Sequence, residues 1–132
     1  MSALRLTSSN SDVVIEFSDV GVDYFRVAVI AHDHSATRRV YAYTDGTGIV
    51  RLFAEAAHEW KGWNGDKVWE SLESELRIEL RIDRLGHVIV AVRVRSDPGG
   101  ADPWQLEAEL GLDAGQLDGV AREAARLWCG NG

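Results

Sequence analysis

Glu75-Leu76-Arg77-Ile78-Glu79-Leu80-Arg81-Ile82-Asp83 is the stretch on which the reading of the fold turns. Leu76, Ile78, Leu80 and Ile82 alternate strictly with Glu75, Arg77, Glu79 and Arg81. A period of two is the signature of a strand with one face in the core and one in water. Arg84-Leu85-Gly86 then supplies a turn, and His87–Arg95 repeats the alternation with Val88, Val90, Val92 and Val94 on the inner face. Beyond the breaker Asp97-Pro98-Gly99-Gly100, Trp104, Leu106, Ala108 and Leu110 point inward, and Gln105, Glu107 and Glu109 point outward. Three antiparallel strands with one solvated face follow.

A helix comes next. Asp113 and Gln116 form a capping-box pattern, and Leu117, Val120, Ala121, Ala124, Leu127 and Trp128 recur at helical spacing as one apolar stripe. The helix is expected to stop near Cys129, before Gly130-Asn131-Gly132.

The first half reads alike, with strands over Val13–Ser18, Val22–Ala31 and Arg38–Thr44. After Asp45-Gly46-Thr47-Gly48, a helix carries Ile49, Leu52, Phe53, Ala56, Ala57 and Trp60 on one side. The joining segment, Lys61–Ser74, holds one further strand at Lys67–Leu72. The expectation is a single α+β domain over residues 1–132, with structural halves 1–60 and 67–132. It would have a mainly antiparallel sheet of about seven or eight strands and two amphipathic helices on one face. A β-β-β-α duplication fits the pattern; so does similar architecture without duplication, or a half-barrel gripping a helix.

Composition narrows the function. The net charge of −7 opposes phosphate backbones and anionic membranes, so no nucleic acid and no membrane are expected as partners. A single cysteine excludes an internal disulfide, and no apolar run is long enough to span a bilayer. Met1–Asp12 is polar and shows no signal peptide, so the expected location is the cytoplasm. Arginine far outnumbers lysine, a usage associated with GC-rich bacterial genomes.

Catalytic signatures are sparse. Nucleophile elbow, phosphate loop, dinucleotide fingerprint and zinc-protease helix are all missing from the sequence. His32-Asp33-His34 approaches a metal motif, but needs a third ligand from His58 or Glu59 and reads as a polar loop. His87 reads as a solvent-facing residue after a turn. Glu75, Glu79, Glu107 and Glu109 alternate with Arg77, Arg81, Arg93 and Arg95, which cross-strand pairing explains without catalysis. No catalytic residue, metal or cofactor is therefore expected.

The aromatic residues point elsewhere. If Phe25, Val27 and Val29 face inward, Tyr24 and Arg26 face out, and Arg39, Tyr41 and Tyr43 join them from the next strand. Tyrosine and arginine are enriched at binding hot spots. The competing reading has the second helix cover this face. Trp60-Lys61-Gly62-Trp63-Asn64-Gly65-Asp66-Lys67-Val68-Trp69 adds three tryptophans, of which Trp60 and Trp69 are expected in the core and Trp63 in a loop. Tyr24, Arg26, Arg39, Tyr41, Tyr43 and Trp63 are thus the candidate partner-binding residues.

Lys61-Gly62-Trp63, Trp69-Glu70-Ser71-Leu72-Glu73, Glu75-Leu76-Arg77, Leu85-Gly86-His87-Val88, Trp104-Gln105-Leu106-Glu107-Ala108-Glu109-Leu110 and Ala114-Gly115-Gln116-Leu117 together resemble a family of small actinobacterial domains of unknown function. That resemblance covers the C-terminal two-thirds and implies no site residue. In size, acidity and Trp-rich middle, the chain is also similar in layout to bacterial toxin-immunity proteins. The expected function is a non-enzymatic protein-binding module, immunity-type in its sharpest form. The alternative is a small-ligand-binding or enzymatic domain with a pocket between sheet and helix. The expected partner is a protein, and a homo-oligomer fits as well.

Overall fold

The computed structural model describes residues 3–43, 45–97 and 99–129. Its strands are β1 (Ala3–Thr7), β2 (Val14–Ser18), β3 (Tyr24–Ile30) and β4 (Ser35–Tyr41), followed by helix α1 (Gly48–His58). Then come β5 (Lys67–Glu70), β6 (Leu76–Ile82), β7 (His87–Arg95) and β8 (Gln105–Asp113), and helix α2 (Leu117–Cys129). The fold is α+β, with eight antiparallel strands as expected. They form two four-stranded sheets, β1-β2-β3-β4 and β5-β6-β7-β8, each a simple meander.

Each half therefore holds four strands and a helix. β1 was not expected as a strand, because Leu4 and Leu6 are only two apolar positions in a polar setting. It forms because both pack into the core and its backbone pairs with β2 from Ala3↔Ser18 to Thr7↔Val14. Ser35–Thr37, expected as loop, pairs with Ile30–Ala28 and opens β4. Small polar side chains suffice at the edge of a sheet, where backbone hydrogen bonds carry the pairing.

Alternation sets the inner faces. Phe25, Val27 and Val29 are buried, as are Ile78 and Leu80 and the four valines of β7. Both sheets and both helices contribute to one core cluster. The helices pack on each other, α1 also on β5 and α2 also on β1, so each helix meets the first strand of the opposite set. Trp128 of α2 fits between Phe17 and Phe25, with ring centroids 5.7 and 5.4 Å away. Offset and edge-on aromatic pairs of this kind stabilise beyond the area they bury.

Three residues depart from the expected core. Trp60 lies past the end of α1 and is 52% exposed. The chain leaves the helical path at Glu59, so the stripe that reaches Ala56 never turns as far as residue 60. Trp104 precedes β8 and is exposed, its backbone N–H bonded to the Ser96 hydroxyl at 2.9 Å. Glu75, expected on a wet face, is buried. α2 runs to Cys129, where the helix is expected to stop, while the following Gly130-Asn131-Gly132, the strand end at Thr44 and the breaker residue Pro98 lie outside the described residues.

Polar seams join the sheets where no strand ladder does. The Ser9 N–H donates to the Gly111 carbonyl at 2.9 Å, and the Gly111 N–H donates to the Ser8 hydroxyl at 3.0 Å. A Cβ at residue 111 would come within 3.1–3.2 Å of the Asn10 side chain, so glycine permits this approach. Across the other seam, Arg38 Nε donates to the Arg95 carbonyl at 3.0 Å.

Candidate functional site

The pairing of β3 with β4 decides where the tyrosines stand. Tyr24 lies opposite Tyr41 and Arg26 opposite Arg39, all on the face turned away from Phe25, Val27 and Val40. This is the outer face of the first sheet, so the helices do not cover it. Tyr24 is 39% exposed and Tyr43 53%.

The side chains are ordered among themselves. The Tyr24 and Tyr41 rings are 5.1 Å apart and tilted, and Tyr43 stacks on Tyr41 at 5.9 Å with only 11° between ring planes. Arg39 lies over the Tyr24 ring, its guanidinium carbon 4.0 Å from the centroid. That is close cation–π geometry. Arg26 pairs with Asp19 at 3.2 Å. Asp19, Val22, Asp23, Tyr24, Arg26 and Arg39 line a shallow depression of about 390 Å³ beside the stack. Five of the six candidate residues are thus brought together.

Trp63 is placed apart. Its ring is half-buried against the core, with the Lys67 ammonium 5.2 Å from its centroid. Its buried indole N–H meets no acceptor among the described residues. None of the described contacts joins it to the tyrosine corner.

A buried polar unit that the sequence reading missed holds the corner in place. Glu75 is 3% exposed, and its carboxylate accepts the Tyr41 backbone N–H at 2.9 Å and the Ser71 hydroxyl at 2.6 Å. Ser71 Oγ in turn accepts the Leu76 N–H at 3.2 Å. Sequence alternation put Glu75 outward because it counts as the first residue of the strand, but β6 begins at Leu76. The signal available was Ser71 four residues earlier, a spacing that a tight turn closes.

A second anchor sits at the start of α1. Asp45 receives a forked pair of bonds from Arg51 at 3.0 and 2.9 Å, and Trp69 Nε1 donates to it at 2.8 Å. The Arg51 bond, aided by the indole, holds the Asp45 carboxyl below its ordinary value of 3.8 against the opposing effect of burial. The Trp69 indole lies directly on Gly48, where any side chain would overlap it.

On the outer face of the second sheet, charge is closely paired. Glu70 binds Arg77 at 2.9 Å and Arg93 at 3.2 Å, Arg77 also binds Glu79 at 2.8 Å, and Arg81 reaches Glu109 at 3.4 Å. The Ser74 side chain, followed by Arg77 and Arg93, holds Glu70 below its ordinary value. His32 lies in the exposed β3–β4 turn with Asp12 at 3.4 Å, and His87 meets Asp83 at 3.0 Å. Among the described residues no group of three potential metal ligands converges. No helix there is long and apolar enough to cross a membrane.

Residues 4–130 match the sequence profile of a family described as "Family of unknown function (DUF6228)". The chain belongs to this family. The DUF6228 match extends over nearly the whole chain, beyond the C-terminal two-thirds that carried the resemblance in sequence. No curated protein matches the chain. In this DUF6228 domain the tyrosine corner and the elements from β2 to α2 fall within the matched region.

Proposed function

We propose that this domain is a non-catalytic protein-binding module that docks through the outer face of β3 and β4. The observation that carries this reading is the ordered Arg39–Tyr24–Tyr41–Tyr43 stack on an uncovered sheet face. Tyrosine side chains held in this way lose little conformational freedom when a partner covers them, and tyrosine with arginine is the usual make-up of binding hot spots. Phe17, Phe25, Phe53, Trp69 and Trp128 pack together in the core between sheets and helices. In its sharpest form the module is an immunity-type protein of the bacterial cytoplasm. Its net charge of −7 supports this form, since it would speed encounter with a basic toxin domain.

The test is a pull-down of the tagged domain from lysate of its own organism, in parallel with a Tyr41→Ala/Tyr43→Ala variant of confirmed fold. A near-stoichiometric protein retained by the native domain and lost by the variant is the expected result. Equal retention by both would remove the tyrosine corner from the binding surface.

A further inference from the structure

Trp60 and Lys61, Arg84 and Leu85, and the turn that leads into α2 line an open groove of about 590 Å³. Its apolar side chains lie outside the core: Leu85 is 81% exposed and the Trp60 ring half-exposed. One exposed apolar side chain is ordinary, but two brought together from segments distant in sequence mark an interaction surface. The β6–β7 turn itself presents Leu85 to solvent. Asp83 accepts the Leu85 and His87 N–H groups at 2.8 and 2.9 Å. Gly86 adopts the positive φ of 85° that the turn requires, and its carbonyl accepts the Ala114 N–H at 2.8 Å. The charges around the groove are not equally engaged. Lys61 and Arg84 are exposed and join no ion pair among the described residues. The Lys61 ammonium lies 5.6 Å from the Trp60 ring centroid, a contact that leaves its charge uncompensated. The carboxylates beside them already hold the chain together. Glu59 pairs with Lys67 at 2.8 Å, and Asp83 binds the His87 ring at 3.0 Å as well as the turn. Asp113 forms the capping box with Gln116 at the entry to α2.

We propose that this groove docks an acidic peptide segment of a partner protein, with an apolar side chain between Trp60 and Leu85 and carboxylates on Lys61 and Arg84. An acidic occupant meets two cations that are free to form charge-assisted hydrogen bonds. A basic occupant would have to compete with the bonds that hold the β6–β7 turn and the start of α2. The concave shape suits a side chain better than a bilayer, and a chain of net charge −7 is repelled as a whole from an anionic lipid surface. A short peptide escapes that repulsion, because a screening length of about 8 Å at physiological salt confines its carboxylates to the nearest charges. The groove shares no lining residue with the depression beside the tyrosine stack, so it is a second surface and does not depend on the first.

The probe is a short capped peptide of alternating glutamate and leucine, titrated into the folded domain and followed by backbone amide NMR shifts, at about 0.1 M salt to screen distant charge. Lysine–leucine and glutamate–serine peptides of equal length are the charge and apolar controls. Shifts centred on residues 60–61, 84–87 and 113–115 are expected from the glutamate–leucine peptide alone. Lys61→Gln/Arg84→Gln and Leu85→Ser, all at exposed positions, should each weaken binding about tenfold. Arg5→Gln/Arg126→Gln removes the same charge from exposed positions elsewhere and should change it no more than about twofold. Tyr41→Ala/Tyr43→Ala should bind the peptide as the native domain does, so failure here and failure of the pull-down are distinguishable. No shift in the groove, an equal response to the lysine–leucine peptide, or equal weakening in the site and control variants would overturn the proposal. Groove shifts that appear with anionic phospholipid vesicles but not with the peptide would overturn it in favour of a membrane. Groove shifts that appear on concentrating the domain without peptide would overturn it in favour of a second copy of the chain.

Discussion

Replacing Glu75 should cost more stability than any other single polar change described above, and the cost should depend on what replaces it. Glu75→Ala removes both acceptors from the Tyr41 N–H and the Ser71 hydroxyl in a site that water barely reaches. A buried donor left without a partner costs about 1–3 kcal/mol, and each lost methylene adds about 0.8 kcal/mol. A loss of about 4 kcal/mol is expected, a large share of the roughly 5–15 kcal/mol that holds a typical domain together. Glu75→Gln is different. Its amide oxygen can still accept the Tyr41 N–H, and its NH₂ can donate to Ser71 Oγ once that hydroxyl rotates. It should therefore cost only about 1 kcal/mol. Urea unfolding followed by tryptophan fluorescence measures both. With a slope of about 2 kcal/mol per molar, the midpoint should fall by about 2 M for the alanine variant and about 0.5 M for glutamine. Equal losses in the two variants, or an alanine midpoint within about 0.25 M of native, would show that these two hydrogen bonds do not hold the seam.

Two further outcomes follow from the anchor at α1. Gly48→Ala forces a methyl group into the Trp69 indole and should cost about 2 kcal/mol, read as a urea midpoint about 1 M lower; an unchanged midpoint would contradict the packing. Asp45 ionises more readily folded than unfolded, so its contribution is complete above the ordinary carboxyl value of 3.8 and disappears as pH falls through its lower folded value. Asp45→Asn should therefore flatten the loss of stability between about pH 5 and pH 2, and superimposable profiles would refute the role given to the Arg51 fork.

Most of the inner and outer faces were legible in the sequence because alternation is a local property. β7 runs from His87 to Arg95 as expected, and its four valines are buried. Phe25, Val27 and Val29 face the core, which puts Tyr24, Arg26, Arg39 and Tyr41 outside together. What escaped depends on contacts distant in sequence. Hydropathy does not say which strands are neighbours, so eight strands could not be divided into two sheets beforehand. β1 is a strand only because β2 and α2 are beside it. Trp60 and Trp104 fit their stripes in sequence but stand just past an element's end, where periodicity no longer sets direction. The role of Glu75 required knowing that Tyr41, 34 residues away, presents its N–H there.

The two outer faces, built on the same strand–strand–strand–strand–helix plan, have opposite suitability for binding. Covering the second sheet would desolvate Glu70, Arg77, Glu79 and Arg93, which are already ion-paired among themselves. A partner over these four residues pays for dehydration and gains no new ion pair with them. The β3–β4 corner of the first sheet offers aromatic faces with Asp23 and Arg39 outside any ion pair among the described residues. Association gains most where burial is apolar and charges are still unpaired. The Glu75 carboxylate connects the two halves of this argument. It ties the Tyr41 backbone at the edge of the first sheet to the Ser71–Leu76 turn of the second, so the paired and rigid sheet serves as the support on which the other presents its tyrosines.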